Sequence, residues 1–154
     1  TTYNKIIFSP AYAYSGKDDV LYLSNIRLAI GEADTRNKLI TEGKFVTKGI
    51  LFETGSDKIN PQSYGVLKDI AAVLNDNGTI KVKIVGHTDS DGDEAANLLL
   101  SKKRAESVKN TLAKDFNVDA LRMEAIGKGE STPLESNSTA EGKANNRRVE
   151  FIKL

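Results

Sequence analysis

The sequence predicts a two-layer α/β sandwich of the α+β kind, in which helices cover one face of a small mixed sheet in the order β-α-β-α-β-β. Two long segments, residues 61–76 and 94–115, have apolar residues at helical spacing, and short β-prone segments flank both. Of the 154 residues, 39% are hydrophobic and 28% charged, which is typical of a globular protein with one main domain. A short β-rich segment precedes this domain.

The first forty residues differ in character from the rest. Residues 6–8 and 20–30 are rich in aliphatic side chains and predict two strands joined by a loop, whereas residues 34–44 are polar and predict a linker. We therefore divide the chain into an N-terminal β segment with its linker, 1–40, and a main domain, 41–154. Because an isolated two-stranded hairpin is marginally stable, residues 1–40 are interpreted either as the end of a preceding β domain or as an arm packed on the main domain.

The main domain begins with a strand followed by a helix. Residues 45–52 predict the strand, Pro61 favours a helix start, and Asn77-Gly78 ends the helical pattern. Between these limits, four apolar residues fall on one helical face: Leu67, Ile70, Ala71 and Leu74. Residues 80–85 then alternate between apolar and lysine side chains, which predicts a second strand with one solvated side.

The second helix is the strongest in the chain. It is predicted over residues 94–115, with an apolar stripe that must pack on the sheet, formed by Ala95, Leu98, Ala105, Val108 and Leu112. Residues 121–126 and 148–154 predict two further strands. The stretch between them, 127–142, is rich in turn-forming residues and has room for a short helix.

A row of polar residues follows the edge of that stripe. Asn97, Ser101 and Arg104 stand at i, i+4 and i+7 and therefore share one side of the helix. Asp89 lies in the loop between the second strand and this helix, so we expect Asp89 and Arg104 to converge at the end of the sheet. At this stage the pair is equally well explained as an internal salt bridge or as a binding site.

Charge and composition exclude several classes of function. The chain has 22 basic and 21 acidic residues, so no global field draws in nucleic acid or an anionic membrane. It has no cysteine, and no apolar run approaches the roughly 20 residues of a membrane-spanning helix. Its first residues lack the features of a signal peptide, so we expect either a cytoplasmic protein or a mature or excised fragment.

Rival sites are weaker. Residues 89–93 resemble the start of a calcium loop, but Glu94 and Leu100 occupy the positions that need glycine and glutamate, so only weak surface calcium binding stays open. His87 is the single histidine and is interpreted as structural, so we predict no metal site, no cofactor and no enzyme. Arg147 and Arg148 alternate along a strand, so one is expected at the site and the other beside acids, without a nucleic-acid patch.

Several separated motifs agree with one family. They are Gly86-His87-Thr88-Asp89, Asn97, Leu100-Ser101, Arg104-Ala105, Gly127-Lys128-Gly129-Glu130 and Asn145-Asn146-Arg147-Arg148-Val149-Glu150. Together they resemble the OmpA-like peptidoglycan-binding domain over about residues 45–154. The resemblance implies a non-catalytic module that binds the diaminopimelate of peptidoglycan stem peptides in the Gram-negative periplasm and anchors an outer-membrane-associated protein to the wall. It places Asp89 and Arg104 at the paired ligand positions, and Asn97 and Arg147 beside them.

The chemistry of that ligand suits these residues. The free end of meso-diaminopimelate has an ammonium and a carboxylate on one carbon, which need an acceptor such as Asp89 and a planar donor such as Arg104. Thr88 and Asn97 are then expected to orient the ligand. The chain departs from the family's pattern at Gly55, at Lys143 and in the acidic loop 91–94, which either repels anionic groups or favours the following helix. A protein-interaction module of the envelope without wall binding is the alternative function.

Overall fold

The computed structural model describes residues 35–154, with side chains from residue 38 onward. The strands predicted at 6–8 and 20–30 lie outside the described residues, and the division at residue 40 stays a prediction. The linker predicted at 34–44 is wrong, because helix α1 (Thr35–Thr41) occupies most of it and a strand begins at Lys44. Leu39 is fully buried in the main core, so tertiary packing stabilises a short helix whose sequence has no apolar period.

Within residues 35–154, four strands form one mixed sheet, as predicted. They are β1 (Lys44–Thr47), β2 (Val82–His87), β3 (Met123–Gly129) and β4 (Val149–Lys153), in the spatial order β1-β4-β2-β3. Strand β4 pairs antiparallel with both β1 and β2, whereas β2 and β3 are parallel. The last strand of the chain therefore lies inside the sheet, beside the strand that leads into the predicted site.

Three further helices complete the predicted order. They are α2 (Tyr64–Asp76), which follows a 3-10 turn at Pro61–Ser63, α3 (Glu94–Phe116) and the short α4 (Ala140–Asn146). All four apolar residues predicted for the inner face of α2 are buried. The first strand is shorter than predicted, since β1 ends at Thr47 and Phe52 makes only an isolated bridge with Ile59. The hydroxyl of Thr47 accepts a hydrogen bond from the Gly49 amide, and the chain turns there.

The register of the strands separates the two faces of the sheet. Phe45, Phe151, Ile84 and Ala125 align in one row across the four strands, and all belong to the core or pack against it. The buried residues of α2 and α3 join the same cluster, so these helices cover that face. The predicted two-layer sandwich is confirmed.

The stripe predicted for α3 is correct only in its second half. Ala95 and Leu98 are exposed, and the buried residues of the first half are Asn97 and Ser101. The cause is a close approach of helix and sheet, because a side chain at Gly86 would collide with the backbone carbonyl of Ser101. At this distance there is no room for large apolar side chains, and hydrogen bonds join the two layers instead.

Candidate functional site

A cleft of about 330 Å³ lies at the end of the sheet where β2 terminates. The segment after β1, the middle of α3 and the end of α4 form its walls. Its lining includes four basic side chains: Lys48, Arg104, Arg147 and Arg148. The volume is within the range of small-molecule sites, and the charge favours an anionic group.

Arg104 is held in place from two directions. Its guanidinium lies 5.0 Å from the centre of the Phe52 ring, and its Nε donates a hydrogen bond of 3.0 Å to the carbonyl of Ser56. Among the described residues, no hydrogen bond or ion pair engages the two terminal nitrogens. Burial lowers the pKa of Arg104, and Arg147 adds to this effect, whereas Asp89 opposes it. The result is an oriented, charged fork whose outer edge is available to a ligand.

Asp89 lies two residues after the end of β2, is 7% exposed, and is in contact with the cleft-lining Arg147 without itself lining the cleft. Its Oδ1 accepts a hydrogen bond of 3.1 Å from the Asp91 amide, and its Oδ2 lies 2.5 Å from Nη1 of Arg147. Asp89 influences Arg104 electrostatically, but no ion pair joins the two within the described part of the chain. The salt bridge left open by the sequence therefore forms with Arg147 and not with Arg104.

Thr88 and Asn97 take different positions in this arrangement. Thr88 is 4% exposed, its amide bonds to the carbonyl of Gly129, and its hydroxyl has no hydrogen-bond partner among the described residues. The amide nitrogen of Asn97 donates to the carbonyl of Asp91 at 3.0 Å and to Oε2 of Glu130 at 2.6 Å. Asn97 therefore holds the Asp89 loop against α3, and its direct contact with a ligand stays a prediction.

The acidic loop has protein partners for two of its carboxylates. Asp93 caps α3, since its side chain accepts a hydrogen bond of 3.0 Å from the Ala96 amide. Asp91 pairs with Lys143 at 2.6 Å, which ties α4 to the loop.

Gly55 has a left-handed φ of 65°, and this turn precedes the Ser56 carbonyl that holds Arg104. Glycine at this position is thus explained by the backbone.

The two adjacent arginines have different partners, but neither lies in β4 and both line the cleft, so the predicted alternation along a strand is wrong. Arg147 lies half exposed beside Asp89, whereas Arg148 is 4% exposed and contacts Oε1 of Glu150 through Nε at 2.9 Å and Nη2 at 2.8 Å. Lys44 reaches the other oxygen of Glu150 at 2.8 Å. Burial alone raises the pKa of Glu150, but the hydrogen bonds from Lys44 and Arg148 outweigh it and hold that pKa below its usual range.

His87 belongs to the same buried group. Its Nδ1 lies 3.2 Å from the Thr132 hydroxyl, and its Nε2 lies 3.5 Å from Glu150. Burial lowers the pKa of His87 to about 4, with Arg148 as the next cause, so the ring is neutral at pH 7. Across residues 38–154, no group of three or more His, Asp or Glu side chains could hold a metal ion.

Sequence reasoning missed two residues that line the cleft, Phe52 and Lys48, and a third outside the lining, Ser56. Phe52 and Ser56 position Arg104, and Lys48 lies at the cleft wall, yet none of them belongs to a motif with recognisable chemistry. The available signal was their place after a strand that ends at the same edge of the sheet as Asp89.

Within the part of the chain that the structure describes, no helix is both long and apolar enough to cross a membrane.

Comparison with known proteins identifies relatives of the same architecture. The model of the OmpA family matches residues 51–147. Outer membrane porin F of Pseudomonas aeruginosa is 39% identical over 101 residues, covering 66% of this chain and 29% of that protein. The Escherichia coli protein described as "Probable lipoprotein YiaD" is 37% identical over 133 residues, covering 79% of this chain and 60% of that protein.

A solved structure extends the likeness to three dimensions. The peptidoglycan-associated lipoprotein from Burkholderia pseudomallei superposes with a TM-score of 0.63 at 28% identity, covering 68% of this chain and 88% of that one. The superposition thus covers most of that solved chain. By contrast, this chain spans less than two thirds of the length of the two sequence relatives.

Proposed function

This chain belongs to the OmpA family, and from that membership and the charges of the cleft we propose that it binds peptidoglycan without catalysis and anchors an envelope protein to the cell wall. The chain is not an enzyme, in keeping with the structural and anchoring proteins of the family. Its location is periplasmic and associated with the outer membrane, as for the outer membrane proteins and lipoproteins among its relatives. The solved relative described as peptidoglycan-associated supports the choice of ligand.

The single observation behind this proposal is the presence of unlike charges at one place, a cation that lines the cleft and a carboxylate beside it. Arg104 offers the outer edge of a fixed guanidinium, and Asp89 offers a nearly buried carboxylate that Arg147 keeps oriented. The zwitterionic end of meso-diaminopimelate matches both groups. Arg104 donates two parallel hydrogen bonds to the ligand's carboxylate, and Asp89 accepts hydrogen bonds from its ammonium.

Selectivity follows from the same two contacts. A stem peptide with L-lysine in place of diaminopimelate keeps the ammonium but lacks the distal carboxylate, so Arg104 would be left without a partner in the complex. Such a peptide is expected to bind poorly. The Thr88 hydroxyl has no hydrogen-bond partner among the described residues, but it is fully buried and outside the cleft lining, so a contact with the ligand would require the Asp89 loop to move.

The affinity for one peptide is expected to be modest. A single small contact of this kind corresponds to a Kd of about 0.1 mM. The cell wall presents many copies of the stem peptide, so rebinding raises the effective strength of the attachment without further contacts. Weak individual sites also allow the anchored protein to exchange between neighbouring peptides.

Calorimetric or NMR titration with a diaminopimelate stem peptide tests the proposal. Asp89→Asn and Arg104→Ala should each abolish detectable binding, because removing one partner of a desolvated charge pair costs about 2–5 kcal/mol. Arg104→Lys should also bind weakly, since lysine lacks the planar fork. The matched control is Lys103→Ala, which removes an exposed cation from the neighbouring position of α3, outside the cleft, and should bind like the wild type.

Two results would contradict the proposal. One is the absence of binding by the wild-type protein at millimolar peptide. The other is equal binding by the wild type and by folded Asp89 and Arg104 variants, with circular dichroism as the check on folding. Either result favours the alternative, a protein-interaction module that kept this fold.

A further inference from the structure

The cleft has more positive charge than a zwitterion can neutralise. Glu150 neutralises Arg148, and Asp89 neutralises Arg147. His87 is uncharged at pH 7 because burial holds its pKa at about 4. Among the described residues this leaves two cleft cations that form no ion pair, Lys48 and Arg104, of which Arg104 is attracted at longer range by Asp89 and Asp57. A bound zwitterion adds one ammonium along with its carboxylate, so the positive excess persists after Arg104 has been paired.

Lys48 is positioned but not neutralised. Its Nζ donates a hydrogen bond of 2.7 Å to Oδ1 of Asn145, and the amide nitrogen of Asn145 donates one of 2.7 Å to Oε2 of Glu135. The neutral Asn145 carbonyl thus orients the ammonium while its charge and its two remaining N–H groups stay available. The Asn145 amide faces Glu135, which fixes the direction of the Asn145 carbonyl toward Lys48.

We propose that Lys48 binds a second carboxylate of the same stem peptide, so that the module recognises an anionic peptide and not the diaminopimelate end alone. This inference rests on the function proposed above. Stem peptides offer two such groups besides that end: the α-carboxylate of the γ-linked D-glutamate and the carboxylate at the peptide's C-terminus. Both are planar anions that can accept hydrogen bonds from an exposed ammonium. Amidation of the relevant carboxylate removes the interaction and makes the wall a weaker ligand.

Three synthetic peptides and three variants test the assignment. The peptides share the diaminopimelate end and are either unmodified, amidated at D-glutamate or amidated at the C-terminus. Their Kd values are measured at low ionic strength for the wild type, Lys48→Gln and Arg104→Ala. Lys103→Gln is the control, because it removes an exposed lysine outside the cleft and leaves the net charge equal to that of Lys48→Gln.

The wild type should bind the unmodified peptide about two- to fivefold more tightly than one of the two amidated peptides, as expected for an exposed ion pair. Lys48→Gln should remove this difference and bind all of them at the level of that amidated peptide. Added salt should reduce the difference in the wild type and have little effect on the variant.

The possible failures separate the two proposals. If amidation has no effect at either position, or if Lys48→Gln weakens all three peptides equally, the second carboxylate contact is wrong. If Arg104→Ala still abolishes binding in that case, the proposed function stands without this inference. If the wild type binds none of the three peptides, both are wrong.

Discussion

The neutral imidazole of His87 makes the stability of the protein depend on pH. In the unfolded chain, histidine gains a proton near its usual pKa of 6.5, whereas burial holds the folded pKa at about 4. Between these values the unfolded state binds more protons, so the free energy of unfolding falls as the pH falls from 6.5 toward 4 and is constant above this window. The loss amounts to about 3 kcal/mol at most.

Urea unfolding at pH 7, 6 and 5 measures this dependence. His87→Gln cannot gain a proton, so the variant should lose much less stability over the same window. Glu150 does not produce the same window, because its pKa is held below the usual value and it titrates at lower pH. Equal slopes in the wild type and the variant would show that His87 is not the group responsible.

Residues differ in how far the sequence reveals their role. The positions of Asp89 and Arg104 could be predicted because one follows a strand and the other lies on a helical row above it, so topology brings them to one edge, whereas their roles stay a prediction. The contact of Lys48 could not be predicted, because a lysine that follows a strand is ordinarily exposed to solvent. Its orientation depends on Asn145, which lies 97 residues away in the sequence, and no local pattern encodes such a contact.

At the scale of elements, α3 depends on the acidic residue before it. Asp93 has extended backbone geometry and its carboxylate caps the helix, next to the loop that contains Asp89. Asp93→Ala should lower the free energy of unfolding by about 1 kcal/mol, measured by urea denaturation. Asp93→Ser keeps a capping oxygen and should restore most of the loss. If the alanine and serine variants are equally stable, the cap contributes nothing.

The same helix shows where periodicity misleads. The apolar spacing predicted Ala95 and Leu98 on the buried side, but Asn97 and Ser101 are buried there instead. The Ser101 hydroxyl accepts a hydrogen bond of 2.8 Å from the Gly129 amide, a contact between helix and sheet that hydrophobicity cannot predict. Farther along α3 the buried residues are apolar, and the prediction is correct for Val108 and Leu112.

The stability of the whole molecule depends on the close approach of α3 to the sheet. Gly86→Ala would place a methyl group against the Ser101 carbonyl and should destabilise the protein by about 1–3 kcal/mol or more, measured by urea unfolding. Gly65→Ala is the matched control, because a side chain there meets nothing within 4 Å on an exposed part of α2. It should stabilise the protein by about 0.5–1 kcal/mol. Equal stability of the two variants would contradict the close approach.

The overall topology was predictable to a greater degree than the site. Alternating helical and strand periods determine the order of elements, and the sandwich follows because both helices have one apolar face. The pairing of β4 between β1 and β2 was not predictable, since strand order depends on long-range packing. That pairing carries Arg147 to Asp89, and so the ion pair of the site could not be assigned from the sequence.

The cleft exists only in the folded chain. Its contacts join residues separated by 48 positions for Ser56 and Arg104 and by 58 for Asp89 and Arg147, so an unfolded chain presents no version of it. Any ligand of the cleft therefore binds the native state alone, and by mass action a concentration of 100 times Kd adds about 2.7 kcal/mol to the free energy of unfolding. A protein molecule with bound ligand unfolds less often than one without, so proteases cleave it more slowly. Attachment to the wall should therefore lengthen the lifetime of the protein.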